Sequence, residues 1–176
     1  MNELNIEAFR DLIENQLPFN KFIGIKLLSL EPGLCRLYVP YKDELIGDTR
    51  RGALHGGVIS TLVDTCGGFA VWSMCDITDK LSTIDLRVDY LKPAFGNDIV
   101  AESRVKLLGN RVGNASTVLY SRDDPETILA EGRSVYNIRR GDPADSGKRR
   151  GDALGGTRRH HSGASARDAA SVYLPL

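Results

Sequence analysis

Between residues 52 and 72 the chain carries Val58, Ile59, Leu62, Val63, Cys66, Phe69 and Ala70 at three- and four-residue steps, the period of an α-helix. Its apolar surface goes most of the way round, so such a helix has to be buried. One carboxylate, Asp64, interrupts it, and Gly67 and Gly68 are small enough to let another backbone approach closely. The run opens on Gly56-Gly57. The first N–H groups of a helix have no partner inside it, and the dipole there is positive, so this opening offers donors to an electron-rich oxygen.

Gly56 and Asp64 are eight positions apart, about 12 Å of axial rise on a helix. That is too far for both to act on one carbonyl carbon. If they serve one reaction they come from different subunits, and two antiparallel copies of the helix would bring Gly56 of one chain to Asp64 of the other. The spacing therefore predicts a symmetric dimer with two shared sites.

Around this segment the chain divides into three parts. Residues 1–19 hold an N-terminal helix, with Ile6, Phe9, Ile13 and Leu17 on one face over 3–16, Asn5 as N-cap and Pro18 beyond the end. Residues 20–140 form the main domain. Ile25 to Leu30 and Leu34 to Val39 read as strands joined by the turn Glu31-Pro32-Gly33, and 41–54 reads as a loop. From Ser82 to Tyr90 the pattern alternates, with Ile84, Leu86, Val88 and Tyr90 on one face and Thr83, Asp85, Arg87 and Asp89 on the other. Strands near 98–108, 111–121 and 127–138 follow, broken at Gly109-Asn110 and Asp124-Pro125. This predicts an α+β fold, a single curved antiparallel sheet wrapped around a central helix, with a hairpin before the helix and a four-strand meander after it. Residues 141–176 are rich in Gly, Arg, Asp, Ser and Ala, and are expected to be a disordered tail.

With 23 acidic and 23 basic side chains the chain has no net charge, so nothing in it points to nucleic acid or to a membrane surface. Cys35, Cys66 and Cys75 lie in apolar surroundings, as reduced cytoplasmic thiols would. Glu3, Glu7 and Asp11 stand where an export signal would be basic, and Asp64 interrupts the long apolar run, so a soluble cytoplasmic protein is expected. His160-His161 has no matching ligands, and no metal or organic cofactor is expected.

His55-Gly56-Gly57 followed by Asp64, with Ser82-Thr83-Ile84-Asp85-Leu86-Arg87-Val88-Asp89-Tyr90-Leu91-Lys92-Pro93-Ala94 downstream, resembles the hotdog-fold acyl-CoA thioesterases of the PaaI-like (phenylacetyl-CoA thioesterase) group over about residues 20–140. The resemblance implies a hotdog fold, a homodimer or a homotetramer built as a dimer of dimers, and hydrolysis of an acyl-CoA to free acid and CoA. It makes Asp64 the base that activates water, or a nucleophile forming a mixed anhydride. Gly56 becomes the oxyanion donor, with Gly57 beside it, and His55 orients the glycine loop or the thioester oxygen. On composition alone the bland alternatives are a capped or inter-subunit polar contact for Asp64, tight backbone packing for the glycines and a structural group for His55, the first two being the lesser readings.

Members of that group place an Asn six or seven residues before the His, where this chain has Asp48 and Thr49. Thr49 could still donate a hydrogen bond. A hydroxyl from the following strand often holds the acid or the water. Alignment assigns it to Thr83, whereas strand parity puts Ser82 on the helix-facing side. Arg111, and beside it Arg87 and Lys92, are candidates for the CoA phosphates. A non-catalytic acyl-CoA binding or sensing protein on the same fold is the alternative that the missing Asn favours. A hotdog hydratase or dehydratase would carry its His in a different local motif.

Overall fold

The computed structural model describes residues 5–141; the expectation for the tail falls outside them. The chain opens with α1 (Ile6–Asp11), capped by the Asn5 side chain, which accepts from the Ala8 N–H at 3.1 Å. A single helix to Leu17 followed by a stop at Pro18 is not what forms. Residues Leu12–Gln16 widen into a π turn, closed by Leu17 N–H to Leu12 O, and Leu17 is extended, as the residue before a proline prefers to be. Pro18 then starts a second helix, α2 (Pro18–Ile23), at the position where its missing N–H costs nothing. Gly24 ends it in the left-handed conformation at φ 88°.

Among the described residues eight strands follow: β1 (Lys26–Glu31), β2 (Leu34–Val39), β3 (Ile46–Asp48), β4 (Ala53–Leu54), β5 (Lys80–Tyr90), β6 (Ile99–Leu108), β7 (Val112–Ser121) and β8 (Asp124–Arg139). The turn between β1 and β2 carries Gly33 at φ 77°, which supplies the positive φ the sequence predicts there. The segment expected as plain loop contains a short 3-10 turn at Asp43–Leu45 and the two-stranded β3–β4 ribbon.

Six strands form one antiparallel sheet in the order β1-β2-β6-β7-β8-β5. The last four strands are thus not a sequential meander. The segment after β5 crosses over so that β6 joins the β1–β2 hairpin, and β5 is left pairing with β8 at the sheet edge.

The central helix α3 (Gly56–Trp72) lies across the inner face, against Cys35, Leu37, Ala101, Ala115, Leu119, Ala130 and Tyr136. Everything from Thr65 to Trp72 is buried, and each large apolar side chain hidden there contributes ~1.5–3 kcal/mol. Small residues on the sheet make the approach possible: a Cβ on Gly113 would stand 2.6 Å from Val71 Cγ1, and one on Gly132 would collide with Val63. The N-terminal helices close the far end, with Phe9 edge-on to Phe69 and Trp72 at centroid distances of 6.2 and 5.3 Å.

Candidate active site

The first half of α3 differs from the second. Gly56, Gly57, Ser60, Thr61 and Asp64 form a half-buried to exposed stripe one helical turn apart, on a helix otherwise enclosed. Beside the stripe runs β5, whose Leu86, Val88 and Tyr90 pair with the inner-face positions Ser134, Gly132 and Ala130 of β8. Leu86 and Tyr90 nevertheless remain 37% and 53% exposed in the single chain, as does Ile84 at 60%. An apolar edge strand beside a bare stripe of helix is a surface left for something else to cover.

Asp64 sits at the lower end of the stripe. The Thr83 hydroxyl donates to its Oδ1 at 2.7 Å, and the Tyr136 hydroxyl donates to its backbone carbonyl at 2.6 Å. Burial raises the Asp64 pKa above the ordinary carboxylate value, while the Thr83 hydrogen bond pulls it partly back. The result is a carboxylate that is held in place and more basic than a solvated one, as a general base needs to be.

Thr83 reaches Asp64 because β5 carries a bulge. Thr83 pairs with Tyr136 and Asp85 with Val135, which leaves Ile84 as an extra residue and reverses the parity from there on. Thr83 and Leu86 therefore both face the helix. Ser82 pairs with Asn137, whose side chain lies on the outer face, so Ser82 turns away from Asp64.

At the upper end, His55 is the N-cap of α3, extended at ψ 134°. Its Nδ1 accepts from the Gly57 N–H at 2.9 Å, so Gly57 spends its donor on the cap. The Gly56 N–H has no acceptor among the described residues. It is the one donor of the opening turn free to meet an oxygen from outside. His55 is itself pinned by its N–H to Leu45 O at 2.8 Å and by Gly47, where any Cβ would come within 2.7 Å of the His55 Cα.

The remaining sequence candidates lie elsewhere. Asp48 is occupied with its own turn, its Oδ1 accepting from the Arg50 N–H at 3.1 Å and from Arg50 Nε at 3.3 Å, and Thr49 is exposed at the tip of the β3–β4 ribbon. Arg87 pairs with Asp89. Arg111 lines an open cavity of about 440 Å³ with Asn110, Asn137, Ile138, Arg139 and Arg140. There Arg140 is tied to Asp79 at 2.6 Å and to the Asn110 and Gly109 carbonyls, whereas Arg111 and Arg139 have no ion pair among the described residues. This cavity adjoins the loop after α3, at the other end of the helix from Gly56. Among the described residues no group of His, Cys, Asp or Glu could hold a metal ion, and no helix is long and apolar enough to cross a membrane.

Two residues of the site were not singled out by the sequence. The Tyr90 hydroxyl lies 2.6 Å from Ser60 Oγ and donates to the Gly56 carbonyl at 3.1 Å. Tyr90 reads as one more apolar member of an alternating strand, and only the sheet order brings it against the start of α3.

Residues 51–128 match the family model described as the thioesterase superfamily. A medium/long-chain acyl-CoA thioesterase, YigI of Salmonella typhimurium, is 30% identical over 149 residues, 77% of this chain and 95% of that protein. The chain belongs to the thioesterase superfamily. Among solved members of the superfamily, a family protein from Silicibacter pomeroyi superposes with a TM-score of 0.65 at 27% identity, covering 70% of this chain and 90% of that one. The E. coli PaaI protein of the phenylacetic acid degradation operon shares the fold, with a TM-score of 0.61 at 20% identity over 69% of this chain and 83% of its own. The sheet wrapped on α3 is thus the hotdog fold of thioesterases, and the chain is a thioester hydrolase.

Proposed function

We propose that the protein hydrolyses acyl-CoA thioesters at a site shared between two subunits, with Asp64 of one chain as base and the Gly56 N–H of the other as oxyanion donor. The observation that carries this reading is the pairing of Asp64 with Thr83 on the only bare stretch of α3, beside an apolar edge strand that a second copy would cover. Gly56 and Asp64 of one chain stand about 12 Å apart along the helix, so an antiparallel second helix supplies the missing half. The polar stripe of α3 and the exposed Ile84, Leu86 and Tyr90 then become one continuous isologous interface.

The steps follow from that arrangement. Asp64 takes a proton from water as its oxygen attacks the thioester carbon, and charge gathers on the carbonyl oxygen at the partner's Gly56 N–H, a donor whose loss typically costs ~3 kcal/mol. The tetrahedral intermediate expels the thiolate, and the proton held by Asp64 passes to sulfur. CoA and a free acid leave. The likeness to YigI supports a medium- or long-chain acyl group, housed in an apolar slot that the two subunits would form at their interface. Arg111 and Arg139, free of ion pairs among the described residues, suit the nucleotide phosphates. A cytoplasmic homodimer, or a homotetramer made of two such dimers, fits this chemistry, in which no cofactor takes part.

A hydrolysis screen across aryl-, medium-chain, long-chain and branched acyl-CoAs, with detection of the free thiol, tests the proposal. Thiol release that depends on Asp64 supports it. Binding without release from any member of the panel would overturn it.

A further inference from the structure

The opening of α3 is held by a small hydroxyl network that the reaction scheme above does not use. Tyr90 Oη and Ser60 Oγ stand 2.6 Å apart, and each also reaches the Gly56 carbonyl, at 3.1 and 3.2 Å. Two hydroxyl protons serve three contacts. In either arrangement one hydroxyl donates to the carbonyl and the other to its neighbour, so the Gly56 carbonyl always receives a side-chain donor.

That carbonyl belongs to the Gly56–Gly57 peptide, whose other end is the Gly57 N–H donated to His55 Nδ1 at 2.9 Å. A hydrogen bond accepted at one end of a peptide polarises the donor at the other. The chain of contacts therefore runs from Tyr90 and Ser60 through one peptide to the His55 ring. With Nδ1 occupied as an acceptor, a neutral His55 carries its proton on Nε2. The ring of Tyr90 also lies against Gly56: a Cβ there would stand 3.3 Å from Cε1 and 3.5 Å from Oη. Gly56 has no positive φ, so the proximity of Tyr90, and not backbone conformation, favours glycine at this position.

We propose that Tyr90, acting with Ser60, is a positioning residue for the reaction: through the Gly56–Gly57 peptide it holds the Gly57 N–H on His55 Nδ1 and so fixes the tautomer of His55, and it steadies Gly56, whose own N–H lies in the preceding peptide, before substrate arrives. This rests on the reading of Gly56 as the oxyanion donor. Tyr90 comes from β5, the strand that also brings Thr83 to Asp64, so one strand sets both halves of the chemistry.

The test uses full-length Tyr90→Phe, Ser60→Ala and the double variant. Each single variant leaves one hydroxyl able to donate to the Gly56 carbonyl, so each should lower kcat only a few-fold, with KM nearly unchanged. The double variant removes both donors and should fall by more than the product of the singles, because the pair acts as a unit. Nitrogen-15 NMR of the imidazoles supplies a readout independent of turnover. In the double variant the Gly57 amide proton should move upfield, and His55 should gain an Nδ1–H population that the wild type lacks. A purely structural role would lower the melting temperature and leave kcat per folded molecule and both NMR signals in place. Wild-type kcat in the double variant, with unmoved Gly57 and His55 signals, would likewise overturn the proposal. If the wild type cleaved no acyl-CoA, the reading of the reaction would fall, and the NMR signals would still decide whether the network orients His55.

Discussion

Thr83 donates a hydrogen bond of 2.7 Å to Asp64 across the gap between the edge strand and the central helix, and a single unpaired residue, Ile84, makes that contact possible. For an acid fixed by one hydroxyl on a largely buried helix, effects on activity and on stability can be measured separately.

Replacing Asp64 by Asn keeps the size and most of the hydrogen bonding but removes the proton acceptor. Turnover should fall at least ~100-fold while acyl-CoA binding is retained. Because burial raises the folded-state pKa of Asp64, its charged form opposes folding at neutral pH. Asp64→Asn should therefore match or exceed the wild-type melting temperature at pH 7. That advantage should shrink as pH falls through the raised pKa and the wild-type acid is protonated. A stable variant that binds substrate and hydrolyses at the wild-type rate would remove Asp64 from the mechanism.

The pH profile reports the same group. In the proposed scheme the working form is the carboxylate, so kcat/KM should drop as pH falls through a pKa above that of an ordinary aspartate. Thr83→Val deletes the hydrogen bond that favours the charged form. The acid limb should move further up in pH, and an unmoved limb would mean that another group titrates there.

Gly56→Pro removes the N–H proposed as the oxyanion donor. The first helical position tolerates proline, and His55 before it already has the extended backbone that a following proline requires; the Tyr90 ring, half-exposed, can give by a few tenths of an ångström. Gly56→Pro and Asp64→Ala should each be inactive alone. Mixed and allowed to exchange subunits, they should recover activity, because heterodimers hold one intact site. Full activity in a wild-type monomer, established by light scattering, would refute the shared site.

Gly67→Ala tests the packing beneath the site. The added Cβ would collide with the Ser134 hydroxyl and approach the Tyr136 hydroxyl to 2.5 Å. Tyr136 is fully buried and bonded to the Asp64 carbonyl, so it has nowhere to go. A loss of ~1–3 kcal/mol in denaturant unfolding is expected, with a change in turnover if the carbonyl contact is what seats Asp64.

The parts legible in the sequence were those written in period and spacing. The helix from Gly56 to Trp72, its lone acid and the two strands around Pro32-Gly33 all carry local patterns strong enough to survive into the fold. The bulge at Ile84 was hidden because the extra residue is itself apolar, so the alternation looked unbroken while its register changed. The choice between Ser82 and Thr83 could not be made from parity for that reason. Tyr90 and Ser60 are thirty positions apart, and only the placement of β5 beside α3 joins them. At Pro18 a stop signal was present, but proline is as good a beginning as an ending, and the segment beyond it had enough apolar residues to begin again.

The sheet order has a consequence for how the protein comes to be made. β5 leaves the ribosome before β6, β7 and β8, yet its neighbour in the sheet is β8, the last of them. Until the residues that pair with Thr83 and Tyr90 have been synthesised, β5 has no strand beside it in the sheet, and nothing but the helix itself holds its hydroxyls toward Asp64 and Gly56. A nascent chain paused in β7 would own its helix and its acid but neither of these contacts, so both arrive only when β8 has emerged, late and together.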